Sequence, residues 1–297
     1  MPLYFLEAYL YRRHLQRFWG ASGDFWQSRW EAVDALFGGD ASCRWVWGTF
    51  GLTFALYWLV GGVYTAVDLT GRPAFLLRYK MQPGAPYPVS GAQVWRVVRQ
   101  VLFNQLVIDL PFALATHALP SGAATTAAPP TLLPLGALRA GRLRAHRGGR
   151  LVLRPPVGVL LHHPRLHRHV HKRHHEWTSP IAIAAVYCHP AEHVLCNLMP
   201  PMLGVLLLGS HPGTAWLWFS VLLLFSLNAH SGFHLPFFPS PEFHDYHHLH
   251  FNQNFGALGV LDRLHGTDRQ FRQTDAYRRN LLLLSLDPLI GPSSGEQ

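Results

Sequence analysis

A run of 23 residues without an ionisable side chain constrains this chain more than any other feature. Residues 45–67 contain no Asp, Glu, Lys, Arg or His. An α-helix rises 1.5 Å per residue, so a run of this length spans the hydrocarbon core of a bilayer, which is about 30 Å thick. Backbone polar groups find no water in that core, and only helices and closed barrels satisfy them internally. The run therefore predicts a membrane-spanning helix.

The composition and three further apolar runs extend this prediction. Charged residues make up 14% of the chain, whereas soluble domains contain about 25%. The further runs occupy residues 95–119, 181–209 and 213–229. Pro200 and Pro201 interrupt the second of them, and adjacent prolines favour a hairpin or a re-entrant pair over one straight span. We predict an all-α integral membrane bundle of about four membrane segments.

The spacing H-x-x-H-H occurs twice, in residues 171–175 and 244–248. On a helix, positions i, i+3 and i+4 project from one face. A histidine pair at i and i+4 binds one metal ion, and the third histidine can turn toward a second ion. Imidazole nitrogens suit iron, zinc or copper better than calcium or magnesium. A single copy would leave a solvated or loosely metal-binding tract open, but the two copies predict a metal site.

The net charge of +9 does not indicate a nucleic-acid-binding protein. The basic residues neither form a helical stripe nor alternate with stacking aromatic residues. They are concentrated in residues 139–173, next to the first triplet of histidines. By the positive-inside rule this segment faces the cytosol. We predict that the histidine-rich site lies at the cytosolic mouth of the helical bundle, near phospholipid headgroups.

Features outside the two triplets complete a recognisable pattern. His230 and His234 form a further pair at i and i+4, and His162 precedes the first triplet. Three more segments read RYKMQP, VLFNQ and HHEWTSP, at residues 78–83, 101–105 and 174–180. Taken together, the histidines and these segments resemble the fatty acid hydroxylase/sterol desaturase superfamily of membrane metal enzymes, and within it the methylsterol monooxygenase branch.

The resemblance implies a site for two metal ions, held by histidines from four motifs. The matching positions are His162, His171, His174, His175, His230, His234, His244, His247 and His248. Four further residues are candidates for hydrogen bonds to the ligands or for the substrate channel, namely Glu176, Asp245, His189 and His193. For Glu176 and Asp245, a plain surface role stays equally open. His163, His167 and His169 are predicted to be solvated or to face lipid headgroups.

The resemblance also implies an oxygen-dependent monooxygenase of the endoplasmic reticulum membrane. Its cofactor would be two iron ions, with zinc as an alternative in purified protein, and its electrons would come from cytochrome b5 and an NAD(P)H-dependent reductase. The implied reaction oxidises a lipid C–H bond, as in methylsterol C4 oxidation during sterol biosynthesis. Fatty-acyl hydroxylation is the alternative within the family. A non-catalytic membrane protein that binds lipid or metal is the alternative outside it.

One position departs from the family pattern. A histidine is expected four residues before His162, where this chain has Gly158, and glycine offers no ligand atom. Residues 119–159 also contain no Asp, Glu, Asn, Gln, Lys, Phe, Trp or Tyr. We hypothesise that this stretch is translated out of frame, with a natural low-complexity linker as the alternative. Sequencing the transcript distinguishes the two, and the missing ligand favours the non-catalytic alternative.

These observations divide the chain into five parts. They are an interfacial amphipathic lead (1–44), membrane segments (45–118), the anomalous segment (119–160), a fatty acid hydroxylase-like catalytic domain (161–290) and a tail (291–297). On this division every candidate metal ligand falls in the catalytic domain.

Overall fold

The computed structural model describes residues 2–82, 84–118, 161–256 and 258–289. These ranges are helical and contain no strand, only an isolated backbone bridge between Lys80 and Phe233. The prediction of an all-α membrane bundle is confirmed for the part of the chain that is described. The anomalous segment, with Gly158, and the tail lie outside the described residues.

Six helices form the frame of the described chain. They are α1 (Pro2–Ala35), α2 (Ala41–Thr70), α3 (Gly91–Ala118), α4 (Met199–Leu207), α5 (Pro212–Ala229) and α6 (Glu242–His250). Shorter helical segments connect them: Ala74–Leu77, Pro164–Leu166, His167–His171, His174–Glu176, Ala182–Val186, Pro190–Glu192, His193–Leu198, Val260–His265, Phe271–Gln273 and Asp275–Arg279.

Three of these helices, α2, α3 and α5, are long and apolar enough to cross a membrane. The apolar run 181–209 does not form a fourth helix of that length. Its first part, Ala182–Val186, is a buried 3₁₀ turn, and its second part is the helical stretch that ends with α4. The turn is apolar because it is buried in the protein core, whereas the helical part also carries exposed apolar side chains such as Leu195 and Leu207.

The expected break at Pro200 and Pro201 is wrong. The chain stays helical from Pro190 through α4, and the two prolines lie in the first turn of α4, where the helix changes from π to α type. A π-helical segment, His193–Leu198, leads into them. The chain reverses afterwards, before α5, where the His211 side chain accepts a hydrogen bond of 3.1 Å from the Gly213 N–H.

The core lies where α2, α3 and α5 enclose the turn Ala182–Val186. The Tyr57 hydroxyl donates to the Ile183 carbonyl at 2.6 Å. A Cβ at Gly61 would lie 2.8 Å from the Ile183 side chain, so only glycine allows α2 to approach the turn this closely. Asn104, from the VLFNQ segment, donates to the carbonyls of Val186 and Cys188 at 2.9 and 3.1 Å. These contacts fix the turn, which precedes the helical segments Pro190–Glu192 and His193–Leu198.

A buried ion pair anchors α6, the helix that carries the second triplet. Glu242, at its start, accepts from Arg279 Nε at 2.6 Å and from Nη2 at 3.2 Å. Only 3% of the Glu242 side chain is exposed, against 27% for Arg279. We expect Arg279→Gln to lower the free energy of unfolding by about 3 kcal/mol, because it leaves a buried carboxylate without its cation. Thermal unfolding in detergent measures this.

Arg278→Gln is the matched control, because Arg278 pairs with Asp275 at the surface, where 82% and 77% of the two side chains are exposed. Exposed pairs contribute about 0–1 kcal/mol, so this variant should unfold close to the wild-type temperature. Equal stability of the two variants would show that the Glu242 pair does not anchor α6.

Candidate metal centre

The two histidine triplets lie on different kinds of local structure. The second, His244, His247 and His248, lies on the α-helix α6, as the spacing predicts. The first does not lie on a regular helix: His171 ends a π-helical segment, and His174 and His175 begin a 3₁₀ turn.

The structure gathers eight of the nine candidate ligands into two groups. The first group is His162, His171, His175 and His247, and the second group is His174, His230, His244 and His248. Within each group, one nitrogen of every ring lies within 4.8 Å of the others. Each triplet divides between the groups, since the i and i+4 histidines join one group and the i+3 histidine joins the other.

Hydrogen bonds to carbonyl oxygens fix the orientation of three rings. The Nδ1 atoms of His247, His248 and His230 lie 2.7, 3.1 and 2.7 Å from the carbonyls of Gln253, Trp177 and Ser226. A carbonyl only accepts, so each Nδ1 carries the hydrogen and each Nε2 presents a lone pair to its group. The Nε2 of His248 is buried and has no hydrogen-bond partner within the described part of the chain. This is the arrangement of neutral imidazole ligands around a metal ion.

The nitrogens of each group converge to hydrogen-bonding distance of one another. His171 Nε2 and His175 Nε2 are 2.8 Å apart in the first group, and His230 Nε2 and His244 Nε2 are 2.9 Å apart in the second. Burial, together with the neighbouring histidines, holds the pKa of His175, His247 and His248 far below the ordinary histidine value. The rings are therefore neutral, and converging neutral nitrogens fit iron or zinc.

Glu192 is a site residue that the sequence analysis did not assign. Its Oε1 accepts from His171 Nδ1 at 2.7 Å, and only 3% of the residue is exposed. A carboxylate bonded to the outer nitrogen orients a ligand histidine and raises its basicity. The signal was available, because Glu192 is the one acidic residue in the apolar run 181–209.

The two predicted carboxylates, Glu176 and Asp245, form hydrogen bonds with residues other than the histidines of the two groups. Glu176 accepts from the Tyr187 hydroxyl at 2.7 Å. Burial, with this contact, raises the pKa of Tyr187 to about 12. Both oxygens of Asp245 accept from Gln82 Nε2, at 3.0 and 2.9 Å, and burial raises the pKa of Asp245 to about 7. These carboxylates join segments of the chain around the site.

The remaining candidate histidines lie outside the two groups. His234 Nε2 lies 3.0 Å from the Leu281 carbonyl, so the structure does not place this predicted ligand with the others. His189 caps the segment Pro190–Glu192 by accepting from the Ala191 N–H at 3.2 Å. His193 bonds Asp109 at 2.6 Å and lines a cavity between the membrane helices.

His167 lies beside other histidines, whereas the prediction is that it is solvated or faces lipid headgroups. Its ring centroid lies 5.7 Å from that of His162 and 5.9 Å from those of His171 and His175. Its Nε2 is buried and has no hydrogen-bond partner among the described residues. It therefore flanks the first group without being one of its four members.

Known proteins resemble the chain over most of its length. The family model described as fatty acid hydroxylase matches residues 158–267. Fatty acid hydroxylase domain-containing protein 2 of Macaca fascicularis is 42% identical over 286 residues, which are 93% of this chain and 82% of the relative.

Two further relatives carry names that denote oxidation of lipids. A fatty acid hydroxylase of Mycosarcoma maydis is 35% identical over 72% of this chain and 55% of its own length. Methylsterol monooxygenase 1 of Danio rerio is 29% identical over 67% of this chain and 70% of its own length. No solved structure matches the chain.

Proposed function

Because the chain belongs to the fatty acid hydroxylase family, we propose that it is a membrane-bound non-haem iron oxygenase that hydroxylates a C–H bond of a lipid. The observation that carries the proposal is the convergence of eight histidines, from four separate stretches of sequence, into two groups of four. Two adjacent sites made only of neutral imidazoles suit a pair of redox-active ions.

Two iron ions would be held by the first and second groups, and they would supply activation of dioxygen and removal of a hydrogen atom from the lipid. The protein's own contribution is orientation and exclusion of water. Glu192 orients His171, and the Trp177 carbonyl orients His248, whose ring is fully buried. Zinc is an alternative occupant in purified protein, because the same donors bind it.

We further propose a 4-methylsterol as the substrate, oxidised at a methyl group on C4. The similarity to methylsterol monooxygenase 1 supports this substrate, and the similarity to the Mycosarcoma maydis hydroxylase supports a fatty-acyl chain as the alternative. The site would face the cytosol at the endoplasmic reticulum, since residues 139–173 are basic. By resemblance to the family, electrons would come from cytochrome b5 and its reductase.

A non-catalytic role is the second candidate, and Gly158 favours it. This residue stands where the family pattern has a ligand histidine. A site that lacks one ligand can retain metal while losing the geometry that its redox chemistry needs.

The test is metal analysis of the purified chain, followed by turnover with cytochrome b5, its reductase and NADPH. Two irons per chain and hydroxylation of a 4-methylsterol support the proposal. Hydroxylation of fatty-acyl chains alone would assign the alternative substrate. A chain that binds zinc and turns over neither lipid, even after reconstitution with iron, would establish the non-catalytic role instead.

A further inference from the structure

A cavity of about 160 Å³ lies between the membrane helices and is distinct from the histidine groups. Its walls come from α2, α3, α5 and residues 193–202. Most of the lining is apolar, including Phe50, Phe112, Met202, Phe219, Leu222 and Leu223. An apolar cavity of about 150 Å³ accommodates a benzene-sized group. The volume therefore suits one end of a lipid, with the remainder left in the bilayer.

One residue that lines this mostly apolar cavity carries a carboxylate. Asp109, on α3, accepts from His193 Nε2 at 2.6 Å. Asn197 donates to the other ring nitrogen of His193 at 3.3 Å, which fixes the ring so that Nε2 carries the hydrogen. The Asp109 side chain is 24% exposed, on the cavity wall, and makes no other hydrogen bond to the described residues. An ionisable side chain within a membrane helix is costly and indicates a functional contact.

We propose that this cavity binds the hydroxyl-bearing end of a membrane lipid, whose O–H donates to the Asp109 carboxylate. A carboxylate only accepts hydrogen bonds, so it selects an alcohol over an ether and repels the carboxylate of a free fatty acid. This inference deepens the proposed function, on which it rests for the reaction itself. It names the substrate class as lipid alcohols, of which sterols are the common membrane example.

Two links join the cavity to the histidine groups. Ser226 lines the cavity, and its carbonyl accepts from the ring of His230. His193, which holds Asp109, directly follows Glu192, which holds His171. The cavity that contains Asp109 is thus connected through Ser226 and His193 to residues that position the groups, and we expect oxidation at a carbon close to the bound hydroxyl.

Competition binding in nanodiscs tests the inference, with tritiated cholesterol as the probe. Unlabelled cholesterol should displace the probe about tenfold more effectively than cholesteryl methyl ether, because the ether has lost the donor of a charge-assisted hydrogen bond. Oleate should compete more weakly than cholesterol. In Asp109→Asn the preference for alcohol over ether should fall toward one.

Thr53→Val is the matched control, since Thr53 also lines the cavity but its hydroxyl donates to carbonyls of its own helix. It should keep the tenfold preference. Equal displacement by cholesterol and its ether in the wild type would overturn the inference without any variant, as would retention of the preference in Asp109→Asn. Metal content and turnover are separate measurements, so a failure here leaves the oxygenase proposal standing, and the converse holds as well.

A second, independent observation concerns His167. Its buried Nε2, beside the first group, has no hydrogen-bond partner among the residues that the structure describes, and Gly158 stands where the family pattern has a histidine. We infer that His167 supplies the first group with the nitrogen ligand that Gly158 cannot supply. This inference rests on the metal centre proposed above.

Comparison of His167→Ala with His169→Ala tests this assignment. His169 is two residues away, exposed, and in contact with Arg168, so its loss should leave metal content unchanged. His167→Ala should release the ion of the first group at least tenfold more readily during dialysis against a chelator. Identical retention by both variants would overturn the assignment while leaving the centre intact, whereas a wild-type chain without metal would overturn both.

Discussion

Alanine at His175 should remove the metal ion of the first group, and alanine at His248 should remove that of the second. His175 Nε2 lies 2.8 Å from His171 Nε2 and 3.2 Å from His162 Nε2, at the middle of its group. His248 is fully buried, and its Nε2, which no other described residue hydrogen-bonds, faces its own group. Each variant should hold about one ion per chain, and turnover should fall about 1,000-fold or more, because a metal contributes several kcal/mol to the reaction.

His250→Ala is the control for both variants. His250 lies on the same helix as His248, outside the two groups, and its ring packs against Tyr246. It should retain both ions and full turnover. Elemental analysis reports the number of ions, and turnover is measured on the same samples. If His175→Ala and His248→Ala each kept two ions, the two groups would not be the metal sites.

The sequence alone identified the features that depend only on residues a few positions apart. The two triplets follow from the periodicity of a helix, and α2 and α5 follow from runs without charge. The spacing did not reveal that the first triplet changes from π-helical to 3₁₀ structure between His171 and His174. The spacing also did not reveal the hydrogen bond from His171 to Glu192, which lies 21 residues further along the chain.

Long-range contacts account for the residues that the structure places differently from the local sequence pattern. His234 shares the i, i+4 spacing with His230, but Gly232 has a φ of +72°, so the backbone turns between them. His234 then bonds through its N–H to the Tyr79 carbonyl and through its ring to Leu281. Neither partner is near in sequence. Asp109 and His193 are 84 residues apart, and only the packing of α3 against the segment that precedes α4 brings them together.

Replacement of Glu192 by Gln should weaken metal binding in the first group and spare the second. The Glu192 carboxylate accepts from His171 Nδ1 and makes the other nitrogen of that ring a stronger donor. Loss of such a partner costs about 10- to 100-fold in metal affinity. Titration with a chelator should therefore release one ion per chain at a lower chelator concentration than in the wild type. The other ion should leave at the wild-type concentration.

Glu176→Gln separates this effect from a general loss of negative charge near the histidines. Glu176 directly follows His175, but its carboxylate accepts from Tyr187. Both ions should then leave at the wild-type concentration. The opposite result, early release in Glu176→Gln and none in Glu192→Gln, would mean that His171 is oriented by its backbone alone. Selective release in Glu192→Gln would instead show that a carboxylate from the apolar run 181–209 determines metal affinity through His171, a ligand 21 residues earlier in the chain.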